Sequence, residues 1–207
     1  HVIPNGIELA IQTEAYEAPS HFENHRPLIF SVGALKPRKG FDDLIKGFAV
    51  FIKKYPQAQL IIAGDDSDQP TRAQLEEHVR ALGLAASVRL LGRVTRAQLL
   101  GWYRACDVFA LTPASDRGGF EGFGLVYLEA NTFGKPCIGT LDSGAREAIQ
   151  AGVTGILSEK RSPGAIADAL ERALLLPPEP ILHYVQAQSW DSRAQHYLAL
   201  YTSLKKR

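Results

Sequence analysis

The residues best equipped for chemistry form a single run: Ala114, Ser115, Asp116, Arg117, Gly118, Gly119, Phe120, Glu121, Gly122, Phe123, Gly124, Leu125, Val126, Tyr127, Leu128, Glu129 and Ala130. Serine, aspartate and closely spaced glycines open it as a loop, and Leu125, Val126, Leu128 and Ala130 turn it helical. A glycine-rich loop running into a helix offers backbone N–H groups and the positive end of the helix dipole, and it lets a ligand come close to the backbone. That is the outline of a phosphate cradle. Glu129 lies one helical turn after Leu125 on the same face, about 5 Å beyond the cradle, where a sugar hydroxyl would fit. Glu121 precedes the helix and views the cradle from the other side. The spacing is met equally by a Glu121 that only complements the helix dipole and a Glu129 that is an ordinary solvated residue. The rest of the chain has to decide.

With 207 residues, 45% of them hydrophobic, the chain can bury the core of one large domain or of a domain with a small appendage. A net charge of +1 offers no field for nucleic acid, and the basic residues are scattered apart from Lys36, Arg38 and Lys39 and the terminal Lys205, Lys206 and Arg207. Cys106 and Cys137, the two cysteines, sit in apolar contexts and read as small core residues, with a reducing cytoplasm as the expected setting. None of the six histidines falls at a ligand spacing with cysteine or carboxylate, so no metal site is expected. No apolar run reaches the length of a membrane span, and no basic-then-apolar leader opens the chain. It starts at His1 and contains no methionine, and is read as an excised domain.

The elements that would position the run alternate strictly. Residues 1–27 read as a linker or edge segment. Continuous apolar runs at 28–33, 59–64, 88–92, 107–111, 136–140 and 155–157 have the length of strands buried on both faces. Helical patterns follow at 40–52, 71–82, 95–105, after Phe123, at 144–151 and at 163–176. This predicts an α/β fold, a doubly wound parallel sheet over 28–176 with ligands at the carboxyl ends of its strands. Pro177, Pro178 and Pro180 read as a break that closes the unit. Beyond them Trp190, Ala194, Tyr197, Leu198, Tyr201 and Leu204 make an apolar stripe on a last helix, so 177–207 is set apart.

Taken together, the motifs resemble the C-terminal half of a retaining, nucleotide-sugar-dependent glycosyltransferase of the large family 4, of GT-B architecture. The strongest mark is the pair Glu121 and Glu129, eight positions apart around Gly122, Phe123 and Gly124. Also similar are Val2 to Gly6, which resembles the interdomain linker; Ser31, Val32 and Gly33 with Lys39 and Gly40; Ala63, Gly64 and Asp65; Gly144 with Glu147; Thr154 and Gly155; and Ser189 with Trp190 opening the last helix. The resemblance implies a Rossmann-like donor-binding domain for a UDP- or GDP-hexose. In it Gly33 and Lys39 lie at the diphosphate and Gly122, Phe123, Gly124 and Leu125 form the backbone cradle. Glu129 takes the ribose hydroxyls, Glu121 the donor sugar, and Arg93 and Val94 the base through the main chain. Glu121 and Lys39 are the expected catalytic groups. No cofactor is implied beyond the nucleotide sugar itself. The acceptor, a sugar or lipid-linked sugar, would be bound by an N-terminal domain, on which the last helix would also pack. The expected location is cytoplasmic, with peripheral membrane attachment open for a longer parent, and this chain alone would be inactive.

Two departures stand out. Ala34 occupies a position where the family usually carries arginine, leaving Lys36 or Arg38 to substitute and implying weaker donor binding. Asp66 replaces a usual glycine, so Asp65 to Asp68 form an acidic loop, read as turn and helix-cap chemistry rather than a metal site. Two other readings stay open: a nucleotide-sugar isomerase of the same architecture, and a non-catalytic nucleotide-sugar binding module. A nicotinamide-dependent dehydrogenase would need a Gly-x-Gly-x-x-Gly turn after the first strand, which Gly33 to Lys36 do not supply.

Overall fold

The computed structural model describes residues 4–20, 26–65, 67, 69–114 and 122–205. Its centre is a six-stranded, all-parallel sheet of β1 (Leu28–Val32), β2 (Gln59–Ala63), β3 (Val88–Gly92), β4 (Val108–Ala110), β5 (Cys137–Thr140) and β6 (Gly155–Ser158), in the order β3-β2-β1-β4-β5-β6. Strands β1, β2, β4 and β5 lie inside the sheet, which is why their sequences run apolar without alternation; Leu28, Ile29, Phe30, Leu60, Ile61, Val108, Phe109 and Ile138 are buried. Edge strand β3 instead alternates, with Arg89 and Leu91 exposed. The doubly wound parallel sheet is therefore as predicted.

The helices are α1 (Phe41–Phe51), α2 (Gln69–Ala81), α3 (Arg96–Ala105), α4 (Leu125–Thr132), α5 (Ala145–Ala148), α6 (Pro163–Ala173), α7 (Pro178–Gln186) and α8 (Trp190–Lys205). Helix α1 packs on α6 and α4 on α7; α3 stacks Trp102 on Phe30 of β1. Strand order reverses direction between β1 and β4. With right-handed crossovers this places α1 and α3 on opposite faces and opens a crevice at the carboxyl ends of β1 and β4.

Three local readings change. The helix expected over 144–151 is a single turn at Ala145–Ala148, ended where Ile149 turns extended. The proline run does not stay a break: Pro177 caps α7 and Pro178 takes its first position, where a missing N–H breaks no intrahelical bond. The first segment is more than a linker. A 3-10 turn at Leu9–Gln12 buries Ile11, and Ile7 pairs with Ser189, its N–H donating to the Gln188 carbonyl at 2.9 Å while Trp190 N–H donates back at 3.2 Å. The apolar stripe on α8 has no cover within the described residues: Trp190, Tyr197, Leu198, Tyr201 and Leu204 are all exposed. Cys106 and Cys137 are free and wholly buried, and burial pushes the Cys106 thiol up to about 12.

Candidate functional site

Two connections meet at the crevice. After β1 the chain makes a 3-10 turn, Pro37–Lys39, and enters α1 through Gly40; after β4 it enters α4 through Gly124. They are tied together: Thr112 Oγ1 donates to the Gly40 carbonyl at 2.8 Å and Ala114 N–H donates to the Arg38 carbonyl at 3.0 Å. A Cβ on Gly40 would lie 1.7 Å from the Thr112 carbonyl oxygen, so only glycine permits this approach. The tie brings Lys39 to the β4 side of the crevice. Its side chain runs over Gly33, where an added Cβ would stand 3.5 Å from Lys39 Cε. Behind it Gly33 N–H donates to the Ala63 carbonyl at 3.0 Å and Leu35 N–H to the Asp65 carbonyl at 2.8 Å, joining the ends of β1 and β2.

Helix α4 begins from a left-handed Gly124, φ 75°, and no described side chain caps it. Glycine is required twice over, since a Cβ there would also meet the Tyr127 ring at 2.6 Å. Tyr127 is buried, edge-on to Phe109 of β4 at 5.7 Å, and its hydroxyl donates to the Leu111 carbonyl at 2.9 Å. That anchors the start of α4 against the end of β4. Gly122 and Leu125 are exposed, Phe123 is half-buried, and the first turn of α4 holds no acid. Among the described residues no side chain caps this first turn, and its N–H groups and helix dipole are an arrangement that favours an anion. Glu121, expected at the donor sugar, lies outside the described residues.

Glu129 is half-buried on α4, and Tyr103 of α3 donates to its Oε2 at 2.7 Å. Reasoning from the sequence passed over Tyr103. The one available signal was a tyrosine on an otherwise buried helix face, which asks for a hydroxyl partner. Burial and then the adjacent Glu129 carboxylate hold the Tyr103 phenol well above its ordinary range, so it remains a donor.

Arg93 and Val94 follow β3, at the same edge of the sheet but two strands from β1. Val94 packs half-buried on the core, while exposed Arg93 pairs with Asp65 at 3.3 Å. The Arg93 guanidinium and the Ser67 N–H, which donates to Asp65 Oδ1 at 3.1 Å, hold the Asp65 carboxyl below its usual value. Asp65 therefore does the turn chemistry expected of the acidic loop; Asp66 and Asp68 lie outside the described residues. A groove of about 360 Å³ beside β3 is lined by Arg93, Val94, Gln98, Trp102 and residues 17–20. At the end of β5, Gly144 and Glu147 line a hollow of about 500 Å³ with Asp142, Ser143 and Arg146. Lys36 is exposed and Arg38 half-buried, both on the connection that carries Lys39. Among the described residues no cluster of histidine, cysteine or acid could hold a metal ion.

A parallel sheet with a glycine-started helix at its switch point defines a doubly wound α/β domain. Comparison narrows the class: residues 12–189 match the family described as Glycosyl transferases group 1, and the chain belongs to it. It is 36% identical over 164 residues to the GDP-mannose-dependent monoacylated alpha-(1-6)-phosphatidylinositol monomannoside mannosyltransferase of Corynebacterium glutamicum, covering 77% of this chain and 40% of that one. Among solved structures, the C-terminal domain of a group 1 glycosyl transferase from Francisella tularensis superposes with a TM-score of 0.70 at 24% identity, over 88% of this chain and 98% of that domain. Anabaena HepE in complex with UDP and glucose superposes with a TM-score of 0.77 at 23% identity, over 98% of this chain and 57% of that one. The fold is that of GT-B glycosyltransferases, and the chain spans about two fifths of the curated relatives it matches, 42% and 40% of the first two.

Proposed function

We propose that this chain is the donor-binding half of a glycosyltransferase that moves a hexose from a nucleoside diphosphate to an acceptor with retention of anomeric configuration. The observation that carries the proposal is the start of α4 at the β1/β4 crevice, uncapped by any described side chain and joined to the Lys39 turn by the Thr112–Gly40 contact. The diphosphate sits between the N–H groups at Gly124 and Leu125 and the Lys39 ammonium, with Gly33 leaving room for the lysine stem. Glu129 accepts from the ribose hydroxyls and the main chain at Arg93 and Val94 takes the base. Glu121 contacts the sugar. The acceptor hydroxyl attacks the anomeric carbon on the face from which the diphosphate departs. The bond from that carbon to the phosphate oxygen breaks, and the departing phosphate oxygen takes the acceptor's proton. The protein contributes positioning and stabilises charge growing on the diphosphate.

A UDP- or GDP-sugar donor is supported by relatives whose names specify GDP-mannose and by a structural neighbour holding UDP and glucose. The acceptor groups belong to the remainder of a longer protein, and the exposed stripe on α8 packs there. Residues 1–207 alone then bind donor without transferring sugar. The test is Lys39→Ala in calorimetric titrations of nucleoside diphosphate and free nucleoside. The expected loss is about 1.5–3 kcal/mol for the diphosphate and none for the nucleoside. Equal losses overturn the phosphate assignment.

A further inference from the structure

Tyr103 is wholly buried yet ends in a polar atom. Its ring stands edge-on to Phe30 at 5.5 Å, tilts against Phe109 at 5.7 Å and stacks on Phe133 at 6.1 Å, with 13° between the two planes. Phenylalanine would satisfy those contacts equally well. The hydroxyl is a burden in such a place unless partnered, and its partner is a single oxygen, Glu129 Oε2 at 2.7 Å. The ring is also held from outside. Phe133 carries the Arg104 guanidinium 5.0 Å from its centroid, and the same guanidinium lies 4.3 Å from the Tyr16 ring. A column of Tyr16, Arg104, Phe133 and Tyr103 therefore runs from the first segment of the chain to the carboxylate. At the helix itself, Thr132 Oγ1 donates to the Glu129 carbonyl at 2.6 Å.

We propose that Tyr103 is a positioning residue for Glu129: its hydroxyl occupies Oε2, fixes the carboxylate plane and leaves Oε1 to accept from the ribose of a nucleotide donor. The inference rests on the reading of Glu129 as the ribose contact. Two acceptor hydroxyl bonds on one carboxylate need a fixed plane, because a freely turning side chain would lose rotamer entropy on each binding event. A rigid aromatic donor supplies that plane before the ligand arrives.

The test compares binding of UDP and GDP with that of their 2′,3′-dideoxy counterparts in the full chain, for the parent, Tyr103→Phe, Glu129→Gln and the double variant. Tyr103→Phe keeps the ring and should reduce the preference for ribose about five- to tenfold while leaving dideoxynucleotide affinity unchanged. Glu129→Gln should reduce the same preference, and the double variant should lose less than the product of the two single losses, since both act through one carboxylate. If Glu129→Gln loses the preference and Tyr103→Phe retains it in full, the positioning role is overturned and the ribose reading stands. If Glu129→Gln retains it, the ribose reading falls and the positioning role falls with it. A lowered melting temperature in Tyr103→Phe with an unchanged preference makes the hydroxyl merely structural and also overturns the proposal. Phe133→Leu, which loosens the ring without removing the hydroxyl, gives a second route: it should lower the preference in the same direction by a smaller factor, and an unchanged preference counts against the proposal.

Discussion

Helices α1 and α4 start alike and meet opposite surroundings. Each follows a parallel strand at the crevice, and each leaves a glycine in the left-handed region, Gly40 at φ 70° and Gly124 at φ 75°, with no side-chain cap among the described residues. Two helices that start elsewhere are closed by side chains: Thr95 accepts from Gln98 N–H in a capping box on α3, and Ser162 accepts from Ala165 N–H on α6. What separates the two glycine starts is their surroundings. Gly40 is buried beneath the Thr112 carbonyl, and Asp42 and Asp43 in the first turn of α1 already answer its dipole. At α4 the neighbouring Gly122 and Leu125 are exposed and the first turn is free of acid, so among the described residues no side chain answers the dipole. A glycine before a helix is therefore sealed by packing in one place and left beside exposed residues in the other, where the proposed function puts the anion.

The largest effect expected from this contrast is on stability. Gly40→Ala places a methyl 1.7 Å from the Thr112 oxygen at a left-handed φ, and should cost about 2–5 kcal/mol in urea denaturation. Gly83 has the same φ of 70° with nothing within 4 Å of an added Cβ, so Gly83→Ala should cost only the conformational part, about 1–2 kcal/mol. Equal costs at the two sites would mean that the contact with Thr112 contributes nothing.

A smaller effect should appear on binding when the α4 start is made to resemble the α1 start. Leu125→Asp puts an acid into an exposed first turn, and should leave stability unchanged or raise it by about 0.3–1 kcal/mol while weakening nucleoside diphosphate binding about tenfold. Calorimetry that finds the diphosphate affinity intact would place the anion elsewhere. The smallest effect belongs to the reverse change. Asp42→Asn removes a dipole partner and a half-buried pair with Lys46 at 3.8 Å, and should lower stability by about 0.3–1 kcal/mol with no change in diphosphate affinity. Tighter diphosphate binding by that variant would show that α1 also accepts anions, and the contrast would collapse.

Much of the fold was legible because burial on both faces leaves a plain signature: uninterrupted apolar runs at β1, β2, β4 and β5, each bounded by glycine, proline or a helix start. Helix α7 was hidden by its prolines, which disrupt a helix interior but are tolerated in the first turn. The short α5 was overrun because Ile149, buried like Ala145 and Ala148, leaves the helix to pack against the core. Within the candidate site, Gly124 and Glu129 were legible from their place at and one turn into a helix. The Tyr103–Glu129 bond was not, since its partners lie 26 positions apart on different helices.

The sequence by itself determined the strands and most of the helices, their alternation and hence a parallel α/β sheet, together with the glycine-bracketed run that starts α4, because period, strand length and backbone permissiveness are local properties. Only the tertiary structure decided which glycine start is sealed and which stands beside exposed residues. That choice depends on Thr112, 72 positions from Gly40, arriving beside it when β4 pairs with β1. Tertiary structure likewise set Lys39 across Gly33, closed Arg93 onto Asp65 and gave Glu129 its hydroxyl partner. The last two join segments 28 and 26 positions apart, and such contacts are fixed by strand order, which no local pattern encodes.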